Sequence, residues 1–180
     1  SAAGQGGFGA VMGAKNLKAV AVRGHGAIGI ARPEEAQRRS RAVVRAILDH
    51  YGPGGGGAAD GRPPSRRAPC TYGCPRACGG FYAEVPGAVR DRTYTGHLHC
   101  CAPLLVSKAW LGVAYPFAAG FEIAQTCNDL GINHWEIIFG LIPWIRRLQE
   151  RGELVELDGF HLDLADPACL LEILRRIARR

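Results

Sequence analysis

The sequence predicts a mainly α chain with a short N-terminal β segment. Apolar residues recur at the 3.6-residue helical period in several stretches beyond residue 32, and most of the chain after residue 100 reads as helical. Against this stands one short β-branched run, residues 17–23 (LKAVAVR), bounded by Gly24 and read as a strand leaving a glycine-rich loop. No internal repeat of about 20 to 50 residues is evident.

Residues 24–30 are read as a continuation of that strand. Pro33, Glu34 and Glu35 open a helix, because proline suits the first helical position and acids suit the first turn. Its apolar positions are Ala36, Val43, Val44, Ile47, Leu48 and Tyr51, and it ends at Gly52 and Pro53. Residues 52–69 carry Gly, Pro, Ala, Ser and Arg without periodicity and read as a flexible connection. Residues 79–96, with Phe81, Tyr82 and Tyr94, read as a turn-rich segment folding over whatever the preceding cysteines hold. A helix over 117–130, with Phe117, Phe121, Ala124, Cys127 and Leu130 on one face, stops at Gly131 in a left-handed cap. Asn133, with Glu136 three residues on, caps the next helix; its inward stripe is Trp135, Ile138, Ile142, Ile145 and Leu148. Pro143 kinks that helix or sits where its missing N–H is tolerated. Asp166 and Pro167 start the last helix, which turns Leu170, Leu171, Leu174 and Ile177 inward.

The 180 residues, 47% hydrophobic, can bury a sizeable core. The chain lacks an initiator Met and ends in helical periodicity with no stop signal, so it reads as an internal piece of a longer polypeptide. No apolar run approaches the roughly 20 residues of a membrane span, and no leader pattern is visible. The net charge of +6 resides in scattered arginine doublets such as Arg38-Arg39 and Arg146-Arg147, not in a basic stripe interleaved with aromatics. Neither nucleic acid nor membrane is therefore expected as a partner. Seven cysteines, three of them tightly clustered, argue against a disulfide framework and for a reducing cytoplasm.

The cluster is Cys70-Thr-Tyr-Gly-Cys74-Pro-Arg-Ala-Cys78. Three thiolates within nine residues can converge on one soft metal, and cysteine followed by proline recurs beside iron–sulfur clusters. A structural zinc site is the alternative, since zinc also takes clustered thiolates. His97 and His99 would project to one face of an extended segment and, with Cys100 and Cys101, form a second metal candidate. The plainer reading of these four is a turn with buried small cysteines, and no metal is assigned to them. Upstream, residues 4–18 (GQGGFGAVMGAKNLK) offer backbone N–H groups beside Lys15 and Lys18, as a phosphate-bearing cofactor requires. The run is neither a P-loop nor a dinucleotide fingerprint, because it lacks the Gly-Lys-Ser/Thr ending and precedes a strand instead of following one. A tight turn before a strand is its structural alternative. Glu122, alone on an apolar helix, is read as solvated; Cys127 and Cys169 fall at core spacing.

Taken in order, GGFGAVMGAKNLKAVAVRG, GCPRACGG and the turn Cys127-Asn-Asp-Leu-Gly-Ile-Asn133 resemble the aldehyde:ferredoxin oxidoreductase family. The resemblance implies residues 1–31 as the C-terminal edge of a β-rich, pterin-cradling domain and residues 32–180 as part of a helical, cluster-binding domain. It implies a 4Fe-4S cluster with Cys70, Cys74 and Cys78 as ligands and a tungsten or molybdenum bis-pterin. Gly6, Gly7, Gly9, Lys15 and Asn16 would line one side of the pterin, and Asn128, Asp129 and Gly131 the other. The departures are a first cysteine gap of three residues, where the family has two, Gln5 in place of a common arginine, and asparagine at both ends of the Asn128–Asn133 turn.

By that resemblance the whole enzyme oxidises a small aldehyde to its carboxylic acid and passes electrons through the cluster to ferredoxin or a similar carrier; a homo-oligomer is compatible with it. No catalytic residue is assigned. The alternatives are a relative that reduces aromatic acyl-thioesters and a non-enzymatic, zinc-stapled interaction module.

Overall fold

A computed structural model describes residues 8–52, 63–71, 73–99, 102–106, 112 and 114–179. Among these the chain is mostly helical with a small antiparallel sheet. The elements are α1 (Phe8–Ala14), α2 (Pro33–Tyr51), β1 (Arg66–Ala68), β2 (Gly79–Pro86), β3 (Thr93–Leu98), a 3₁₀ turn (Ala102–Val106), α3 (Phe117–Leu130), a π turn (Glu136–Leu141), α4 (Ile142–Glu150), a hairpin of β4 (Glu156–Leu157) and β5 (Phe160–His161), and α5 (Pro167–Arg179).

The expected N-terminal strand does not form. Residues 17–23 carry no regular structure and are exposed, Val22 at 89%. A strand needs a ladder partner, and the sheet, in the order β1-β2-β3, is built further along the chain. The described part of the glycine run likewise is not a loop. Residues 8–14 close into a helix that ends on Asn16 in the left-handed conformation (φ 55°), with the Leu17 N–H returning to the Met12 carbonyl. α2 spans the expected residues, but Val44, Ile47 and Leu48 are only half-buried and no residue of 8–52 is buried.

The segment expected to be turn-rich forms two strands of the sheet, and the third, β1, lies in the stretch 52–69 expected to be a flexible connection, where Arg66–Ala68 find a ladder partner in β2. β2 pairs antiparallel with β1 (Ala68↔Gly79) and with β3 (Gly80↔Leu98, Tyr82↔Gly96). A bulge between Tyr82 and Val85 puts Glu84 at φ 53°, where its N–H donates to Thr95 Oγ1 at 2.9 Å. Tyr82, Val85, Tyr94 and Leu98 point from one face of the sheet into the core.

α3 is the centre of that core. Every residue from Ala119 to Cys127 is buried, and the helix packs on α5, the 3₁₀ turn and β3. Side chains the size of Phe121 and Ile123 contribute roughly 1.5–3 kcal/mol each on full burial. Gly120 permits the 3₁₀ contact, since a Cβ there would lie 2.5 Å from Val106 Cγ1. Gly96 does the same for β3: a Cβ would strike Gln125, whose Nε2 donates to the His97 carbonyl at 2.9 Å.

Gly131 caps α3 with φ 67°, as the sequence indicated. The following helix starts as expected, with Asn133 Oδ1 accepting from the Trp135 N–H at 3.1 Å. It then widens, the Ile142 N–H reaching back to Ile137 across a π turn. That turn explains how Pro143 is accommodated near the start of α4: the wider ladder relieves the clash between a proline ring and the carbonyl four residues earlier. Ile138, Ile142 and Ile145 are buried, but Trp135 is 37% exposed. In α5, Asp166 Oδ1 caps the Ala168 N–H at 2.8 Å; Leu170, Leu171 and Leu174 are buried, whereas Ile177 is exposed.

Glu122 is completely buried, contrary to its reading as a solvated residue. Its Oε2 accepts from the N–H groups of Ala88 (2.8 Å) and Val89 (2.9 Å), and its Oε1 from the Arg90 N–H (3.2 Å) and the Tyr94 hydroxyl (2.9 Å). The carboxylate pins the β2–β3 turn onto α3. Burial, then the bond to Glu122, pushes the Tyr94 hydroxyl above its ordinary pKa. Glu122→Leu would leave three backbone donors and the Tyr94 hydroxyl without their acceptor. Equilibrium urea unfolding should show a loss of about 3 kcal/mol or more, with a smaller loss for Glu122→Gln; an unchanged midpoint for the leucine variant would contradict this assignment.

Candidate metal centre

All three clustered cysteines lie in the connection between β1 and β2, which the ladder closes at Ala68↔Gly79. Pairing thus returns the chain to its starting point and holds Cys70 and Cys78 at the same end of the sheet. Both are exposed and Cys74 is half-buried. The Cys74 N–H bonds to the Thr71 carbonyl at 3.1 Å, and Ala77 takes φ 42°, so the loop curls around the middle cysteine. Hydrogen bonds from the backbone N–H groups of Ala77 and then Arg76 hold the Cys74 thiol below its ordinary pKa. These donors stabilise the thiolate, which is the form that ligates metals. The Arg76 guanidinium lies 5.0 Å over the Tyr51 ring, joining the loop to the end of α2.

β3 brings two histidines to this end of the sheet, on the face opposite the core. As expected of alternate positions on a strand, His97 and His99 share that face, their ring centroids 4.8 Å apart. His97 lies opposite Phe81, whose ring meets it edge-on at 5.0 Å and carries the Arg66 guanidinium at 4.8 Å. His99 lies beyond the pair Gly80↔Leu98, against Gly79, where a Cβ would collide with its Nδ1. Burial and then the neighbouring His97 hold His99 below its ordinary pKa. Among the described residues, no three His, Cys, Asp or Glu side chains stand close enough to hold an ion in this conformation. The loop nevertheless carries three thiols, two exposed and one half-buried, the middle one with its pKa lowered, and thiolates are the donors a thiophilic metal takes.

The residues expected around a pterin are more scattered. Gly6 and Gly7, like Gln5, lie outside the described residues, as do Cys100, Cys101 and positions 53–62 of the expected flexible stretch. Gly9 is inside α1, and Lys15 and Asn16 follow at its exposed end. Asn128 and Asp129 are exposed at the C-terminus of α3, where Arg92 meets Asp129 at 3.5 Å, and Gly131 caps the helix. Among the described residues, no hydrogen bond or ion pair joins these two groups. Cys127 and Cys169 are buried, as expected, and burial pushes the Cys169 thiol up.

Sequence reasoning missed the Glu122 clamp and the placement of His99 against Gly79. A carboxylate within the apolar run FAAGFEIAQTC was a visible signal for the first, because such a run has no solvent-facing side. The second depended on strand register, which no local pattern carried. The β4–β5 hairpin was also missed, although Asp158-Gly159, with both residues at positive φ, is a strong hairpin-turn signal.

No family model, no curated protein and no solved structure matches this chain. No helix among the described residues is long and apolar enough to cross a membrane.

With a thiol biased toward thiolate and accessible, Cys74 should be alkylated by iodoacetamide at neutral pH well ahead of buried Cys127 and Cys169, as read by peptide mass spectrometry. Equal rates at the three would contradict the loop geometry.

Proposed function

We propose that this chain is part of an oxidoreductase that converts an aldehyde to a carboxylic acid at a tungsten- or molybdenum-pterin centre, with electrons leaving through a 4Fe-4S cluster to ferredoxin or a similar carrier. The observation that carries the reading is the β1–β2 loop, where three cysteines share one end of the sheet and backbone N–H groups address the sulfur of the middle one. Cys70, Cys74 and Cys78 would hold the cluster. Gly6, Gly7, Gly9, Lys15 and Asn16, with Asn128, Asp129 and Gly131, would contribute to the pterin cradle by the order of the motifs. When bound, the two groups supply a two-electron oxidation and its relay as single electrons.

The chain's own residues have narrower tasks. The Ala77 and Arg76 N–H groups orient and stabilise the Cys74 thiolate, and donors of this kind also tune the potential of a ligated cluster. The loop joins β1 to β2 at the end of the ladder with Cys70 and Cys78 exposed, an arrangement that suits exit of electrons to a docked carrier. The family's acyl-thioester reductases would use the same loop; a substrate assay with aldehyde against aromatic acyl-thioester separates them.

A second reading, a zinc-stapled interaction module, is favoured by the histidine pair beside the cysteines, since three cysteines and one histidine are an ordinary zinc set. Elemental analysis of protein expressed anaerobically with tungstate and molybdate separates the two. About four irons with one tungsten or molybdenum per chain supports the oxidoreductase, and zinc alone overturns it. Cys74→Ala and Cys78→Ala should each lose iron; a full complement in either removes that residue from the ligand set.

A further inference from the structure

The cysteine loop is set among uncompensated positive charge. Residues 63–83 contain Arg66, Arg67 and Arg76 and no acid, so one arginine lies three positions before Cys70 and another between Cys74 and Cys78. We propose that these three arginines form a docking surface for an electron-carrier protein with an acidic face, set around the exposed Cys70 and Cys78; this rests on the oxidoreductase reading of the loop and names the face that its carrier meets.

Among the described residues the ion pairs lie elsewhere: Arg32 and Arg39 with Glu35, Arg92 with Asp129, Arg151 with Glu153, and Arg175 and Arg176 with Glu172. Arg66 and Arg76 are held by aromatic rings instead, the first over Phe81 at 4.8 Å and the second over Tyr51 at 5.0 Å. A ring fixes a guanidinium in place without neutralising it. Arg76 Nε, moreover, has no acceptor among the described residues. Register sets the other two charges beside the loop. Arg66 and Arg67 pair with Phe81 and Gly80 on the edge strand β1, next to the Ala68↔Gly79 pair from which the loop springs, and both are exposed. The face that Arg66 covers also carries exposed His97 and half-buried Phe81, ring against ring at 5.0 Å. Arginine beside aromatic rings, with carboxylates absent, is the composition of the centre of a protein-docking patch. The sign of the charge selects an acidic partner. Electron carriers dock briefly through small interfaces, where opposite charge at the rim speeds encounter and adds little to the lifetime of the complex. A nucleic acid or an anionic membrane would call for a longer basic stripe than three residues.

The test is anaerobic surface plasmon resonance of the reconstituted whole chain over an immobilised bacterial two-cluster ferredoxin, with iron and zinc measured in the same preparation. The variants are the pairs Arg66→Glu/Arg67→Glu and Arg66→Lys/Arg67→Lys, with Arg179→Glu, an exposed arginine on α5, as the control. Circular dichroism checks folding. At low salt the glutamate pair should lower the association rate about tenfold, and wild-type binding should weaken steeply as salt is added. The lysine pair and Arg179→Glu should keep the wild-type rate, which separates charge from the packing of Arg66 on Phe81. Should the glutamate pair misfold, Arg66→Gln/Arg67→Gln decides, because an unchanged rate there overturns the surface equally. Ferredoxin binding at the wild-type rate by the glutamate pair means that the carrier docks elsewhere, and it overturns the surface while the oxidoreductase reading stands. Capture of phosphatidylserine vesicles or single-stranded RNA in place of ferredoxin overturns the protein partner. No ferredoxin binding by protein holding about four irons overturns the surface alone; no binding by protein holding only zinc overturns the surface and the oxidoreductase reading together.

Discussion

The carboxylate of Glu122 is the constraint on which the arrangement of the sheet depends. An ionisable side chain with no exposure is tolerated in a core only when its hydrogen-bonding capacity is used, and here both oxygens are engaged by three backbone N–H groups and a tyrosine hydroxyl. Those donors all belong to the β2–β3 turn and the first residues of β3. The turn is therefore bolted to α3, the most completely buried element among the described residues. Gln125, one helical turn on, repeats the device along β3 by bonding the His97 carbonyl, with Gly96 clearing the space. Two polar residues of one helix thus fix the position of a strand lengthwise, something that apolar contacts alone do weakly because they have no direction.

That lengthwise registration matters at the opposite end of the hairpin. From the Glu122-bound turn the two strands run to Gly79 and Leu98, and beyond them lie the cysteine loop and His99. The sheet packs on the core through Tyr82, Val85, Tyr94 and Leu98, whereas Cys70 and Cys78 on the loop are exposed. Under the proposed function this division would set exposed thiols, which a partner can reach, beside histidines held by the sheet. The N–H groups directed at Cys74 hold its thiol below the ordinary pKa, which favours the thiolate.

The helices were legible in the sequence because their signals are local. Pro33 with Glu34 and Glu35, Gly131 after a periodic face, and Asp166-Pro167 each mark an end through the backbone chemistry of a few residues, and α2, α3 and α5 begin or end there. The sheet was not legible, for the complementary reason. Residues 79–98 contain glycines, a proline and charges that dilute the period-2 pattern, and the bulge at Glu84 shifts it midway. Residues 17–23 show the reverse failure: β-branched residues without a partner strand take no regular structure and stay exposed. The glycine run misled in the same way, since Ala10, Val11, Met12 and Ala14 between the glycines sufficed to close a helix. Of the candidate site, the cysteine spacing was readable, and so was the common face of His97 and His99. Which histidine stands nearer the loop required register, a non-local property set by Glu122 and Gln125 from elsewhere in the chain.

The proposed function requires that this loop bind metal through sulfur. X-ray absorption at the iron edge of the anaerobically reconstituted protein reads that directly. It predicts a first shell dominated by sulfur at about 2.3 Å with a short iron–iron vector, the signature of a thiolate-held cluster. A shell of nitrogen and oxygen alone, with no iron–iron vector, would mean that the cysteines on the β1–β2 loop serve another purpose and would contradict the account.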